Sequence, residues 1–306
     1  MLKSVTVTNF RDESIYLELE NPYETGLAIT NITGLGPAKA NINVTDLATS
    51  DGANYNSARV GTRNIVFTIR LLEDPETQLI ETTRLRSYKF FPVKKTVTLT
   101  FETDHRIAQI QGYVESNEPD IFSKEEQIQV SIVCPSPYFY TLDHTIVLNG
   151  VEPLFQFPFS NNSFTEKLLF MGNIVESIST NYIYDGDVDS GALFHIHASG
   201  HVKNIMVYNS VTRERMSIDT TVIKSITNSE YDDLIFGDDV YLSTISGDRY
   251  IYLVRSGQQY NILPSIPKIT DWVKMVKGDN IFGYTAEEGK TNMIIEIHTN
   301  ILYEGV

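Results

Sequence analysis

Apolar and polar residues alternate with a period of two through most of this 306-residue chain. Ile65, Phe67, Ile69 and Leu71 form one such run. Val97, Leu99 and Phe101 alternate with threonines in another, and Ile128, Val130, Ile132 and Cys134 make a third. Successive side chains of a strand point to opposite faces, so the pattern fits strands with one buried and one wet face, as in antiparallel sheets. Val5 with Val7, and Ile15, Leu17 and Leu19, read the same way, and Asn21-Pro22 closes that run with turn chemistry. The predicted fold class is mostly β.

One stretch breaks the period. From Asp74 to Val93 the residues predict an α-helix: Asp74 is a good N-cap, Pro75 suits the first helical position, Glu76 favours the positive end of the dipole, and Pro92 forces a stop near Phe91. At about 100° per residue, Leu79, Ile80, Thr83, Ser87, Phe90 and Phe91 share one face, which can lie on the chain's own sheet. Leu85 and Tyr88 point away from it, among Gln78, Glu81 and Lys89. That mixed outer face suits a second protein better than water alone. A solvated helix with two stray apolar residues fits the same pattern. One helix inserted in so regular an alternation predicts an α+β barrel or sandwich with the helix lying across it.

Cys134-Pro135-Ser136-Pro137 interrupts the alternation. Two prolines at alternate positions stiffen a connector and cannot donate to a ladder, so the expected division is an N-terminal domain 1–137 and a C-terminal domain 138–306. In the second half, runs at Leu168 to Phe170, Ala192 to Ala198, Ile205 to Tyr208, Val240 to Leu242, Tyr250 to Val254 and Met293 to Ile297 are separated by turns such as Asp185-Gly186 and Ser256-Gly257. Short strands at this spacing predict a β-sandwich.

Composition narrows the function. A net charge of −15 argues against binding nucleic acid by neutralising phosphates, and an acidic surface lets DNA pass without retaining it. No run of about 18 apolar residues exists to span a membrane, and the alternating N-terminus does not read as a signal peptide. Cys134 is the single cysteine, which excludes an intrachain disulfide framework.

The motifs that invite chemistry are incomplete. Gly34-Leu35-Gly36-Pro37 lacks the Lys-Ser or Lys-Thr of a phosphate loop and reads as a turn. His195, His197 and His201 lie as HxHxxxH, but the motif holds no acidic partner and reads as solvent-side histidines. Asp185, Asp187 and Asp189 alternate as in a calcium loop, yet Ser190 replaces the turn glycine and Ile196 the bidentate glutamate. Ser246-Gly247 and Ser256-Gly257 lack a nucleophile elbow, Cys134 is followed by prolines rather than a helix, and Glu125-Glu126 and Glu287-Glu288 would face opposite ways in a strand. No enzyme, cofactor or metal site is expected.

Taken in order, Gly34-Leu35-Gly36-Pro37, the segment 51–59, Arg63-Asn64-Ile65, the helix, Gly112-Tyr113-Val114-Glu115-Ser116, Cys134-Pro135-Ser136-Pro137-Tyr138-Phe139, Gly278-Asp279-Asn280-Ile281-Phe282 and the terminal Tyr303-Glu304-Gly305-Val306 carry a resemblance. The chain resembles the distal tail proteins of long-tailed bacteriophages that infect Gram-positive hosts. Each motif alone is short, but their order and spacing span almost the whole chain.

The resemblance implies an N-terminal β-barrel or sheet domain with one belt α-helix, and a C-terminal galectin-like (jelly-roll) β-sandwich. It implies a homo-hexameric ring around the DNA channel at the virion tail tip, single or stacked, made in the host cytoplasm. One side would meet the tail tube protein and the other the tail-associated fibre or lysin-bearing hub. The belt would run from Pro75 to Phe91 and present Glu81, Arg84, Leu85, Tyr88 and Lys89 to the next subunit. The basic cluster Arg84, Arg86, Lys89, Lys94 and Lys95 would set register through intersubunit ion pairs or complement the helix C-terminus. Two rival readings stand beside this one. A carbohydrate-binding tail adhesin would grip host wall polymer with Trp272, the single tryptophan, although its apolar neighbours favour a core or hinge role. A metal-dependent hydrolase would use the three histidines.

Overall fold

The structure, a computed structural model, describes residues 1–47, 51–141, 144–148, 150–153, 172–175 and 179–306. It contains two compact units, Met1–Leu142 with Leu302–Val306, and Asp143–Ile301.

The first unit is built from β1 (Leu2–Asn9), β2 (Ser14–Glu18), β3 (Leu27–Thr33), β4 (Ala40–Asp46), β5 (Ala53–Val60), β6 (Arg63–Leu71), α1 (Ile80–Phe90), β7 (Thr96–Thr103), β8 (Ile107–Asp120), β9 (Gln127–Cys134) and β10 (Phe139–Tyr140). The main sheet runs β2-β1-β7-β8-β9-β6-β3, with every pairing antiparallel. Its bend lies in β8: residues 107–113 pair with β7 and residues 113–120 with β9, with a register shift between Val114 and Ser116. Such irregularities turn a sheet sharply. The two halves meet across the core, where the rings of Phe67 on β6 and Phe101 on β7 stack with centroids 6.4 Å apart. Val5, Val7, Ile15 and Leu17, with the alternating residues of β6, β7 and β9, fill this interior with almost no exposure, while Leu19, past the end of β2, is only half-buried.

Two expectations change here. The helix begins at Ile80, not Pro75. Asp74 does cap, but it caps a separate turn: its carboxylate accepts the Thr77 N–H at 2.9 Å, and the Gln78 N–H closes on the Asp74 carbonyl. Gln78 then takes a left-handed φ of 58°, which breaks helical continuity. The unit boundary differs too. Phe139 and Tyr140, assigned to the C-terminal domain, pair with Tyr303 and Leu302, and both strands belong to the first unit.

β4 and β5 form a separate hairpin that is exposed along nearly its whole length, Ile42, Val44 and Tyr55 included.

The second unit packs two antiparallel sheets. The larger runs β11 (His144–Leu148), β22 (Met293–Thr299), β15 (Leu193–Ala198), β18 (Asp239–Ser243), β19 (Tyr250–Arg255) and β20 (Gln258–Asn261). The smaller runs β14 (Ser179–Tyr184), β21 (Gly278–Glu288), β16 (Lys203–Asn209) and β17 (Glu214–Ile218), and a two-stranded ladder joins β12 (Gly150–Pro153) to β13 (Gly172–Val175). Phe194 and Phe282 meet edge to face across the sheets, with centroids 6.2 Å apart. This is the expected sandwich. The expected run at 168–170 lies outside the described residues.

Candidate functional site

α1 touches both β1 and β6, strands from the two halves of the curled sheet. Its inner face is unusual for a core helix because two of its buried residues carry hydroxyls. Thr83 donates to the Leu72 carbonyl at 2.9 Å and Ser87 to the Arg84 carbonyl at 2.7 Å, so neither leaves a polar atom unpaired. Gly26 makes the close approach possible: with φ at +73°, a Cβ there would lie 2.7 Å from the Thr83 hydroxyl. Phe90 and Phe91 complete the buried face, while Leu79, expected among them, is 58% exposed because the helix begins only after it. At the C-terminal end Asn117 of β8 donates to the carbonyls of Ser87 and Phe91.

The outer face keeps its apolar residues in the open. Leu85 is 59% and Tyr88 39% exposed, and Glu81 is exposed beside them. The basic cluster behaves differently from the expectation of intersubunit ion pairs. Arg84 bonds Glu126 at 2.6 Å, Arg86 pairs with the buried Asp74 carboxylate, and Lys89 pairs with Glu13 at 3.0 Å. These cations therefore fasten α1 to turns of its own unit. The Thr77 backbone N–H, then the hydroxyl of Thr77 and the Arg86 guanidinium, hold the Asp74 carboxyl below the usual carboxylate range. Lys95 is not drawn inward: it and Arg11 each lie 5.2 Å over the exposed Phe10 ring.

A second constellation was not foreseen. Arg63 is only 3% exposed and forms no ion pair with a carboxylate among the described residues. Its guanidinium donates to four backbone carbonyls: Pro137 and Glu304 at 2.6 Å, and Gly34 and Gly36. It lies 4.5 Å over the Phe139 ring. The Val306 N–H donates to the Leu35 carbonyl. Gly34 is obligatory, since its φ is +86° and a Cβ would sit 2.2 Å from the Asn64 carbonyl oxygen. The glycine loop thus offers carbonyl oxygens to a cation, the reverse of a phosphate cradle. Three other segments that carry the sequence resemblance converge on this one side chain. Their contributors lie up to 241 positions from Arg63, so no local pattern could have joined them.

In the second unit, His195 and His197 share a face of β15, and neighbouring strands supply the acidic partners missing from the motif. Asp239 accepts from His195 at 2.9 Å and from His197 at 2.8 Å, and Glu296 lies 3.3 Å from His195. Tyr241 and Tyr252 extend the row by stacking, 4.5 Å from His195 and 5.0 Å from each other. His201 is separate and pairs with Asp233. Among the described residues no group of three or more such side chains is arranged to hold a metal ion. Trp272 is half-buried, and the Arg249 guanidinium lies 4.8 Å over its ring, occupying one of its two faces.

A curled antiparallel sheet crossed by one helix, with a β-sandwich carried between its last two strands, defines a two-unit, mostly β class of protein. Among solved structures this fold is that of the SPP1 Dit (gp 19.1) protein, described as a paradigm of the hub adsorption apparatus in Gram-positive infecting phages. The likeness has a TM-score of 0.62 at 12% identity over 97% of this chain and 99% of that one. The phage P2 baseplate, solved in its activated conformation with Ca, matches at a TM-score of 0.45 and 10% identity, covering 97% of this chain and 98% of that one. No family model and no curated protein sequence matches the chain.

Proposed function

We propose that this chain is a structural hub of a phage tail tip. Copies of it close as a hexameric ring that joins the tail tube to the tail-associated fibre or lysin protein around the DNA channel. The observation that carries the reading is the fold, matched over 97% of the chain to SPP1 Dit, together with a helix whose outer face holds Leu85 and Tyr88 in the open. A ring of identical subunits uses head-to-tail contacts, in which one patch meets a different patch on the next copy. The role is mechanical, and a net charge of −15 suits a conduit that must not retain DNA. It is exercised in the virion, after synthesis in the host cytoplasm.

Light scattering with negative-stain imaging of the purified chain tests this. The expected result is a closed ring whose assembly is prevented by Leu85→Glu with Tyr88→Ser, the variant remaining a folded monomer. A wild-type chain that stays monomeric up to high micromolar concentration sinks the reading.

A further inference from the structure

A pocket of about 290 Å³ opens where α1 ends, against the turn between β1 and β2. Its apolar lining is Phe10, Tyr88, Pro92 and Val93, three of them more than a third exposed, with Asn9 beside them. Its rim carries three cations, Arg11, Lys89 and Lys95, against one carboxylate, Glu13. In a chain of net charge −15 such a rim is out of character. It selects an apolar side chain flanked by negative charge. A void of roughly 150 Å³ already holds a benzene ring, so there is room for one phenyl group.

The same unit displays a side chain of that description. Phe122, at the tip of the turn after β8, is 95% exposed, and Ile121 beside it is 45% exposed. Segment 118–126 has four carboxylates against one lysine. Glu125 and Glu126 are engaged by Arg70 and Arg84, while Glu118 and Asp120 pair with no cation among the described residues. An exposed phenylalanine fenced by acids is a poor surface for water and a good one for the pocket. Within one copy the two do not meet: Phe122 is 95% exposed and is not among the residues that line the pocket.

We propose that Phe122 of one subunit seats in the Phe10–Tyr88–Val93 pocket of the next copy of this chain, forming part of the head-to-tail contact. This rests on the ring reading above and deepens it by naming both halves of one contact. It also gives Tyr88 a definite place, as a wall of the receiving pocket.

The test uses the full chain. Cys134 is buried, so introduced surface cysteines react selectively. A Ser123→Cys, Val93→Cys double variant, which keeps the Phe122 ring, treated with a short bis-maleimide is expected to give a ladder of covalent oligomers ending at the closed ring, and neither single variant gives a ladder. Phe122→Ser, whose thermal unfolding midpoint stays at the wild-type value, is expected to raise the concentration for half-assembly by ~10-fold or more. Rings that form without the ladder, with the thiol introduced at position 93 still open to maleimide and Phe122→Ser without effect, overturn the pocket assignment and leave the ring reading standing. A chain that never assembles defeats both. Protection of that introduced thiol only when tail tube or hub protein is added assigns the pocket to that partner and overturns the proposal.

Discussion

Two of the places in the first unit where a cation lies over a phenylalanine, Arg63 on Phe139 and Arg11 with Lys95 on Phe10, are finished in opposite ways. At Arg63 the guanidinium stacks on Phe139, spends its donors on four carbonyls of its own chain, and is sealed from water. At Phe10, Arg11 and Lys95 stack on a ring that is 42% exposed, beside a pocket that the chain leaves open. A buried cation must find all its partners internally or destabilise the fold, whereas an exposed one loses little by waiting for a partner. The closed site therefore belongs to folding, and under the proposed contact the open one belongs to association, a distinction that experiment can break.

The largest effect is expected at the closed site. Arg63→Ala leaves carbonyls of the 34–36 loop, the connector and the C-terminal segment without their donor, and should cost roughly 3–5 kcal/mol by chemical denaturation. A loss under about 1 kcal/mol would mean that water replaces the guanidinium, and the contrast with Phe10 would vanish. Next comes acid. Asp74 has a folded-state pKa below its unfolded value, so its contribution is present above the ordinary carboxylate range and is lost as pH falls through the depressed value. The unfolding midpoint should therefore drop below about pH 4. Asp74→Asn should flatten that limb of the profile, and an unchanged slope would show that Asp74 does not anchor α1. At the open site, Phe10→Ala or Lys95→Ala should change subunit stability by less than about 1 kcal/mol while weakening assembly. The smallest effect is a null: burial pushes the Cys134 thiol up to about 11, so at about pH 8 it should not react with a thiol reagent until denaturant is added.

Much of the architecture could be read from periodicity. The strands around Phe67, Phe101 and Val130 were visible because a half-buried strand writes its burial pattern directly into the residue order. The start of α1 was not. Asp74-Pro75 signals a capped turn as well as a capped helix, and only the left-handed Gln78 distinguishes them. The outward placement of Leu85 and Tyr88 followed from helical geometry, but the inward pull on Arg84, Arg86 and Lys89 did not, because Glu126, Asp74 and Glu13 lie on other elements. The Arg63 clamp and the acidic partners of His195 share that cause. Both are made by side chains and backbone that meet only after the sheets have closed.

The pairing of Phe139–Tyr140 with Leu302–Tyr303 has a wider consequence. Adjacent antiparallel strands run about 5 Å apart, so everything from 143 to 301 leaves and rejoins the first unit through a single narrow doorway. To the sheet, that whole stretch is topologically one long loop. Recombination can exchange such a cargo for any other fold whose ends lie close together, and the body that holds Arg63 and α1 need not change a residue.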